Sequence, residues 1–164
     1  MTKPIPDGFH TITPHIIVSD AAKAIEFYKK ALGAQDSERF MTPDGKAVMH
    51  AQLKIGNSML MLGNEFPPTC LSPKSRGGTS VSLYLYLENA DAAFDRAVDA
   101  GCTIKMPMTD QFWGDRYGQV EDPFGHQWSF ATHKQEFTND EIAENAKNFF
   151  ANMAKKSTPE LVTA

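Results

Sequence analysis

The chain has 164 residues, of which 41% are apolar and 22% charged, with a formal net charge of −4. That length suits one domain with its own core, and the balance excludes wholesale disorder and argues against a nucleic-acid or anionic-membrane surface. The two cysteines, Cys70 and Cys102, have no CxxC spacing and suggest no disulfide framework, and no apolar run approaches the ~20 residues of a spanning helix.

The start, MTKPIPDGFHTI, has no apolar h-region or small-residue cleavage site, so no signal peptide and a cytoplasmic location are expected. ITPHIIVS then reads as a short strand. Asp20 caps a helix whose buried face is Ala21, Ala24, Ile25, Tyr28, Ala31 and Leu32, and Gly33 stops it. Strands follow at about 36–41, 47–55 and 58–63. NEFPPTCLSPKSRGGT (64–79) is a Pro/Gly/Ser-rich connector. SVSLYLYLE is the next strand. Asn89 caps a second helix with Ala93, Phe94, Ala97 and Val98 buried, and Gly101 ends it. Strands at about 103–108, 116–121 and 127–132 complete this part. Thr138 and Glu141 have capping-box spacing ahead of a helix at about 138–155, with an apolar stripe of Ile142, Ala146, Phe149, Phe150 and Met153. That helix is expected to dock on the domain, or alternatively to form a dimer contact; the closing STPELVTA is expected to fray.

The order of elements repeats. A shift of 69 residues places VSDAAKAIEFYKKAL on LENADAAFDRAVDAG and PDGKAVMHAQLKIGN on FWGDRYGQVEDPFGH without a gap. The chain therefore reads as α+β: two βαβββ modules at about 10–64 and 80–133 in one domain spanning 1–164, because one such unit is too small to close its own core.

Strand alternation assigns faces. In SVSLYLYL, Val81, Leu83, Leu85 and Leu87 suit the helix layer; Ser82, Tyr84 and Tyr86 suit water or a ligand. The shift carries these three onto Thr13, His15 and Ile17, and the helix-side leucines onto Ile12, Pro14, Ile16 and Val18. In the last strand Trp128 and Phe130 pack under the helices, leaving Gln127, Ser129 and Ala131 inward; their counterparts are Ser58, Leu60 and Leu62. Met49, Met59, Met61, Met106 and Met108 fall in strands and are expected to pack in the core.

VSDAAKAIEFYKKALGA, the EDPFGHQW hairpin and the tandem duplication together resemble the vicinal oxygen chelate superfamily, in its glyoxalase/bleomycin-resistance branch, over roughly residues 10–133. FWGDRYG beside DPFGHQW is similar to its PhnB-like subgroup. The resemblance implies curved half-barrel sheets around a cavity and a homodimer. It also implies that a metal-using member would hold its ion at Thr13, Leu60, Ser82 and Ser129. Leu60 has no donor atom and neutral hydroxyls are weak ligands, so no metal is assigned. A divalent ion such as Zn, Ni, Mn or Fe remains the alternative, kept open by His15 with His50 or His133. His126 is expected to be an exposed turn residue.

Two segments remain. DPFGH is explained by turn chemistry alone. FWGDR invests more than its counterpart PDGKA: an indole platform in Trp113 and a guanidinium in Arg116 that suits an anionic group. Alternatively Trp113 fills the barrel mouth and Asp115 pairs with Arg116. No GxSxG, P-loop, GxGxxG or HExxH motif occurs. The expected function is metal-independent binding of a small planar or anionic organic ligand, by Thr13, His15, Ser82, Tyr84, Tyr86, Trp113, Arg116 and Ser129. A glyoxalase-type lyase or isomerase, less readily a dioxygenase, and a dimeric scaffold with a filled cavity are the alternatives.

Overall fold

The computed structural model describes residues 2–156, with side chains through Met153; the segment STPELVTA lies outside the described residues. The elements run β1 (His15–Val18), α1 (Ala21–Leu32), β2 (Gln35–Met41), β3 (Val48–Ile55), β4 (Ser58–Asn64), α2 (Pro73–Arg76), β5 (Ser82–Tyr86), α3 (Ala90–Ala100), β6 (Thr103–Asp110), β7 (Asp115–Glu121), β8 (Gln127–His133) and α4 (Asn139–Lys156). The fold is α+β. Each module forms one four-stranded mixed sheet, ordered β1-β4-β3-β2 and β5-β8-β7-β6. β1 pairs with β4, and β5 with β8, in parallel.

The helices begin and end where local chemistry dictates. Asp20 accepts from the Lys23 amide and Asn89 from the Ala92 amide, satisfying free helix donors, while Gly33 adopts φ 67° past the first helix. Thr138 and Glu141 form the reciprocal capping box of α4. The connector contributes the short helix α2, capped by Ser72, which its composition did not suggest.

α1 and α3 pack against each other and cover one face of the sheets. Tyr28, Ile25, Leu53, Leu62, Trp128 and Phe130 are fully or almost fully buried between helices and strands. Burial of each such side chain stabilises the fold by about 1.5–3 kcal/mol before entropy is counted. The other face of each sheet is open. Ile12 and Val81, expected under the helices, are exposed because β1 begins only at His15 and β5 at Ser82. Of the methionines, Met59 is buried and Met108 partly so, but Met49 and Met106 are exposed.

The modules are bolted together through the DPFGH turn. Asp122 is buried and accepts from the Tyr28 hydroxyl of α1 at 2.7 Å, the Trp128 indole at 2.8 Å, and the Phe124 and His126 amides. His126 is not the exposed turn residue expected from sequence: it is 9% exposed and its Nε2 lies 2.9 Å from the Ile17 carbonyl of β1. The turn chemistry is present, with Gly125 at φ 89°, but the same five residues also dock the second module on the first.

The repeat holds in order but not in register. His15 faces Met61 across β1 and β4, whereas its counterpart Tyr84 faces Ser129. The β3–β4 turn has two residues, Gly56 and Asn57; the β7–β8 turn has five, Asp122 to His126. A constant offset therefore fails at these strands. Ser129 corresponds to Met61, and Leu60 lies buried against Leu53 on the helix side rather than inward.

Candidate functional site on the open face of the second sheet

Residues directly opposite in paired strands share a face. Tyr84 is opposite Ser129, Ser129 opposite Gln119, Ala131 opposite both Tyr86 and Tyr117, and His133 opposite Asp115. The helix side takes Leu83, Leu85, Trp128 and Phe130, so these partners emerge together on the open side.

Their centre is Asp115, at the start of β7. Its carboxylate is 3% exposed, yet both oxygens have donors. Oδ2 accepts from the Tyr86 hydroxyl at 3.1 Å, the Trp113 indole at 3.1 Å and the Tyr84 hydroxyl at 3.4 Å. Oδ1 accepts from Nδ1 of His133 at 2.8 Å. Burial pushes the Asp115 carboxyl up, but hydrogen bonds from His133, Trp113 and Tyr86 outweigh it and hold the group below the usual carboxylate range. The same hydrogen bond to Asp115, with the charges of Asp115 and Glu136, raises the His133 imidazole above its ordinary value. Burial, then the Tyr86 and Asp115 charges, push the Tyr84 phenol well up, so it stays a protonated donor.

The rings around this carboxylate form a strip. Tyr84 lies 5.0 Å from Tyr86 and 5.5 Å from Tyr117, the latter nearly parallel at 26°, and Tyr117 meets Trp113 edge-on at 5.8 Å. Tyr84 and Tyr86 remain 42% and 65% exposed, so ring surface is free while the hydroxyls are tied down. Trp113 is placed by its turn: Gly114 takes φ 104°, its carbonyl accepts from the Lys134 and Gln135 amides, and any Cβ there would collide with the Gln135 carbonyl. Phe112 packs on Trp113 at 4.9 Å and on Phe149 and Phe150 of α4 at 5.5 and 6.0 Å, which anchors that helix beside the turn.

Below the strip, hydroxyls satisfy one another. Ser82 Oγ lies 2.7 Å from Ser129 Oγ, and the Tyr117 hydroxyl 3.0 Å from the same atom, with the Gln119 amide bridging both serines. Ser82, Tyr84 and Tyr86 also border a cleft of about 510 Å3 that runs round the edge of β5 to Leu83, Leu85 and Trp128 on the helix side; its far wall is the His10–Pro14 segment and the β3–β4 turn.

Five of the eight expected residues thus come together: Ser82, Tyr84, Tyr86, Trp113 and Ser129. Thr13 stands across the cleft and donates to the His10 carbonyl. His15 opens instead on a second cleft of about 590 Å3 and lies 5.6 Å from His50; burial, then the His50 charge, lowers its pKa. Arg116 is not part of the group. Alternation turns it to the helix side, where it binds Asp91 of α3 bidentately at 2.8–3.2 Å and approaches Asp110 at 3.6 Å. The expected Asp115–Arg116 pair is not formed, for the same reason. Sequence reasoning missed Asp115 as the hub, and with it Tyr117, Gln119 and His133. The period-2 pattern of DRYGQVE, applied as it was to β5 and β8, carries that signal.

A metal fits this donor set poorly. At the positions that the sequence resemblance implies for an ion, the serines bond each other, Thr13 bonds a backbone carbonyl, and Met61, the register counterpart of Ser129, offers only a thioether. Among the described residues no cluster of three or more His, Cys, Asp or Glu side chains is arranged to hold an ion.

The family model for the glyoxalase/bleomycin resistance protein/dioxygenase superfamily matches residues 8–130. The chain belongs to this superfamily. An uncharacterized protein of Mycobacterium tuberculosis, Rv0887c, is 45% identical over 135 residues, covering 80% of this chain and 79% of its own. TioX from Micromonospora sp. ML1 superposes with a TM-score of 0.61 at 26% identity, over 76% of this chain and 98% of its own. The PhnB protein from Bacillus cereus shares the fold, with a TM-score of 0.58 at 17% identity over 75% and 99% of the two chains. Among the described residues, no helix of this superfamily member is long and apolar enough to cross a membrane.

Proposed function

We propose that this superfamily member binds a small planar organic molecule on the open face of its second sheet, without a metal ion. The observation that carries the reading is the strip of Tyr86, Tyr84, Tyr117 and Trp113. Its hydroxyls and indole are fixed on one buried carboxylate and part of its ring surface is free. Such a platform is held in one geometry before any ligand arrives, which lowers the entropy cost of stacking. The adjoining cleft is of a size that suits a small molecule. The anionic part of the sequence expectation rested on Arg116, whose guanidinium is occupied by Asp91. A cytoplasmic homodimer belongs to the same proposal, in which a second copy covers the apolar surface of the exposed Phe40, Met49 and Met106.

The test is thermal stabilisation by a panel of planar aromatic compounds, on wild type and on Tyr84→Ala, alongside elemental analysis of protein purified without chelator. A ligand at ~100 times its dissociation constant adds ~2.7 kcal/mol of stability to wild type, and much less to the variant. A panel that stabilises neither protein, or both equally, overturns the assigned site. About one tightly held metal per subunit overturns metal independence and returns the lyase or isomerase alternative.

A further inference from the structure

The charge of the ligand follows from what surrounds the strip. The Tyr84 and Tyr86 hydroxyls both donate to Asp115 Oδ2, so a buried anion lies at the hydroxyl edge of both rings. Ring faces are themselves the negative pole of an aromatic quadrupole. The cleft bordered by Ser82, Tyr84 and Tyr86 is lined without any Lys or Arg. The cations of this sheet are engaged elsewhere: Arg116 on the helix side with Asp91, and Lys105 with Glu121 at the other end of β7. His133 binds the opposite carboxylate oxygen, Oδ1, and its other nitrogen faces Glu136 at 3.5 Å.

We propose that the molecule taken by this strip is an organic cation, a planar ring system bearing a positively charged nitrogen. The inference rests on the aromatic-binding reading above and adds the charge. An anion meets the ring faces, with the Asp115 carboxylate buried behind the hydroxyls, and no guanidinium or ammonium lines the cleft to offset them. A neutral ring gains stacking alone. A cation gains stacking, the quadrupole of the exposed tyrosines and the field of Asp115, which burial leaves poorly screened by salt and which His133 offsets only while its imidazole is protonated.

Three probes of similar size separate these cases by isothermal titration at about pH 8, where the second is uncharged: N-methylquinolinium, quinoline and 2-naphthoate. The expected result is N-methylquinolinium binding about tenfold tighter than quinoline, with 2-naphthoate weakest. Asp115→Asn brings the cation-to-neutral ratio towards one, and Tyr86→Leu weakens the cation more than the neutral ring. The wild-type ratio decides the matter even if Asp115→Asn does not fold. Equal affinity for cation and neutral ring, tighter binding of 2-naphthoate, or an unchanged ratio in folded Asp115→Asn overturns the charge inference and leaves the aromatic-binding reading standing. Failure of all three probes to bind overturns both.

Discussion

Removing one oxygen atom at the junction of the modules should cost more than its size suggests. Tyr28 has no exposed surface, and its hydroxyl reaches across the domain to Asp122, itself 4% exposed, at 2.7 Å. Tyr28→Phe keeps the ring and its contact with Trp128, at 5.4 Å between centroids, and deletes only the donor. Oδ2 of Asp122 retains the Trp128 indole and Oδ1 retains two backbone amides, so the carboxylate is weakened rather than orphaned. A hydrogen bond to a charged acceptor contributes about 1.5–3 kcal/mol, and that is the expected loss. For a domain of this size it corresponds to a fall in Tm of about 3–12 °C. Urea unfolding should show a lower midpoint at unchanged slope, because the surface exposed on unfolding does not change. A double-mutant cycle with Asp122→Asn should show that the two losses are coupled rather than additive. A loss below about 0.5 kcal/mol, the range of an ordinary surface substitution, would refute the view that this bond clamps the modules.

Two other outcomes follow from the same geometry. Arg116→Ala removes a pair with Asp91 in which the side chains are 28% and 47% exposed, so it should cost less than about 1 kcal/mol in denaturant unfolding and leave ligand affinity unchanged; a binding loss would contradict its placement on the helix side. The Asp115–His133 pair should make stability depend on pH from both sides. The His133 contribution, from a raised pKa, is full below about 6.5 and lost as pH rises through the folded value; the Asp115 contribution, from a lowered pKa, is full above about 3.9 and lost as pH falls through the folded value. His133→Gln should abolish the alkaline part in a Tm-against-pH series, and an unchanged series would refute the pairing.

What sequence made legible was local. Asp20, Asn89, Gly33 and Gly101 bound their helices because capping is settled within one turn, and the Thr138–Glu141 box is of the same kind. Faces of β5 and β8 followed from alternation for the same reason. What escaped depended on residues distant in the chain or on loop length. Leu60 was assigned inward because a constant offset ignores that one hairpin turn has two residues and the other five. In a strand, a shift of one residue moves every side chain to the opposite face. Asp122 gave no sign of its partner because an aspartate before proline is already explained by the turn, and Tyr28 lies 94 residues away. Asp115 and Arg116 looked like a natural ion pair in the sequence, yet neighbours in a strand point to opposite sides. That alternation makes Asp115 the hub of the site and removes Arg116 from it.

The account stands on the open face of the second sheet being where a ligand sits, and amide chemical-shift mapping with an aromatic probe such as N-methylquinolinium tests this most directly. The two tryptophans provide separate indole signals: Trp113 in the strip and Trp128 buried against Asp122. The account predicts saturable shifts for the Trp113 indole and for amides around Tyr84–Tyr86, Asp115–Gln119 and Ser129–His133. Shifts centred on His15 and His50, or on the helix side around Asp91 and Arg116, with the Trp113 indole unmoved, would contradict it.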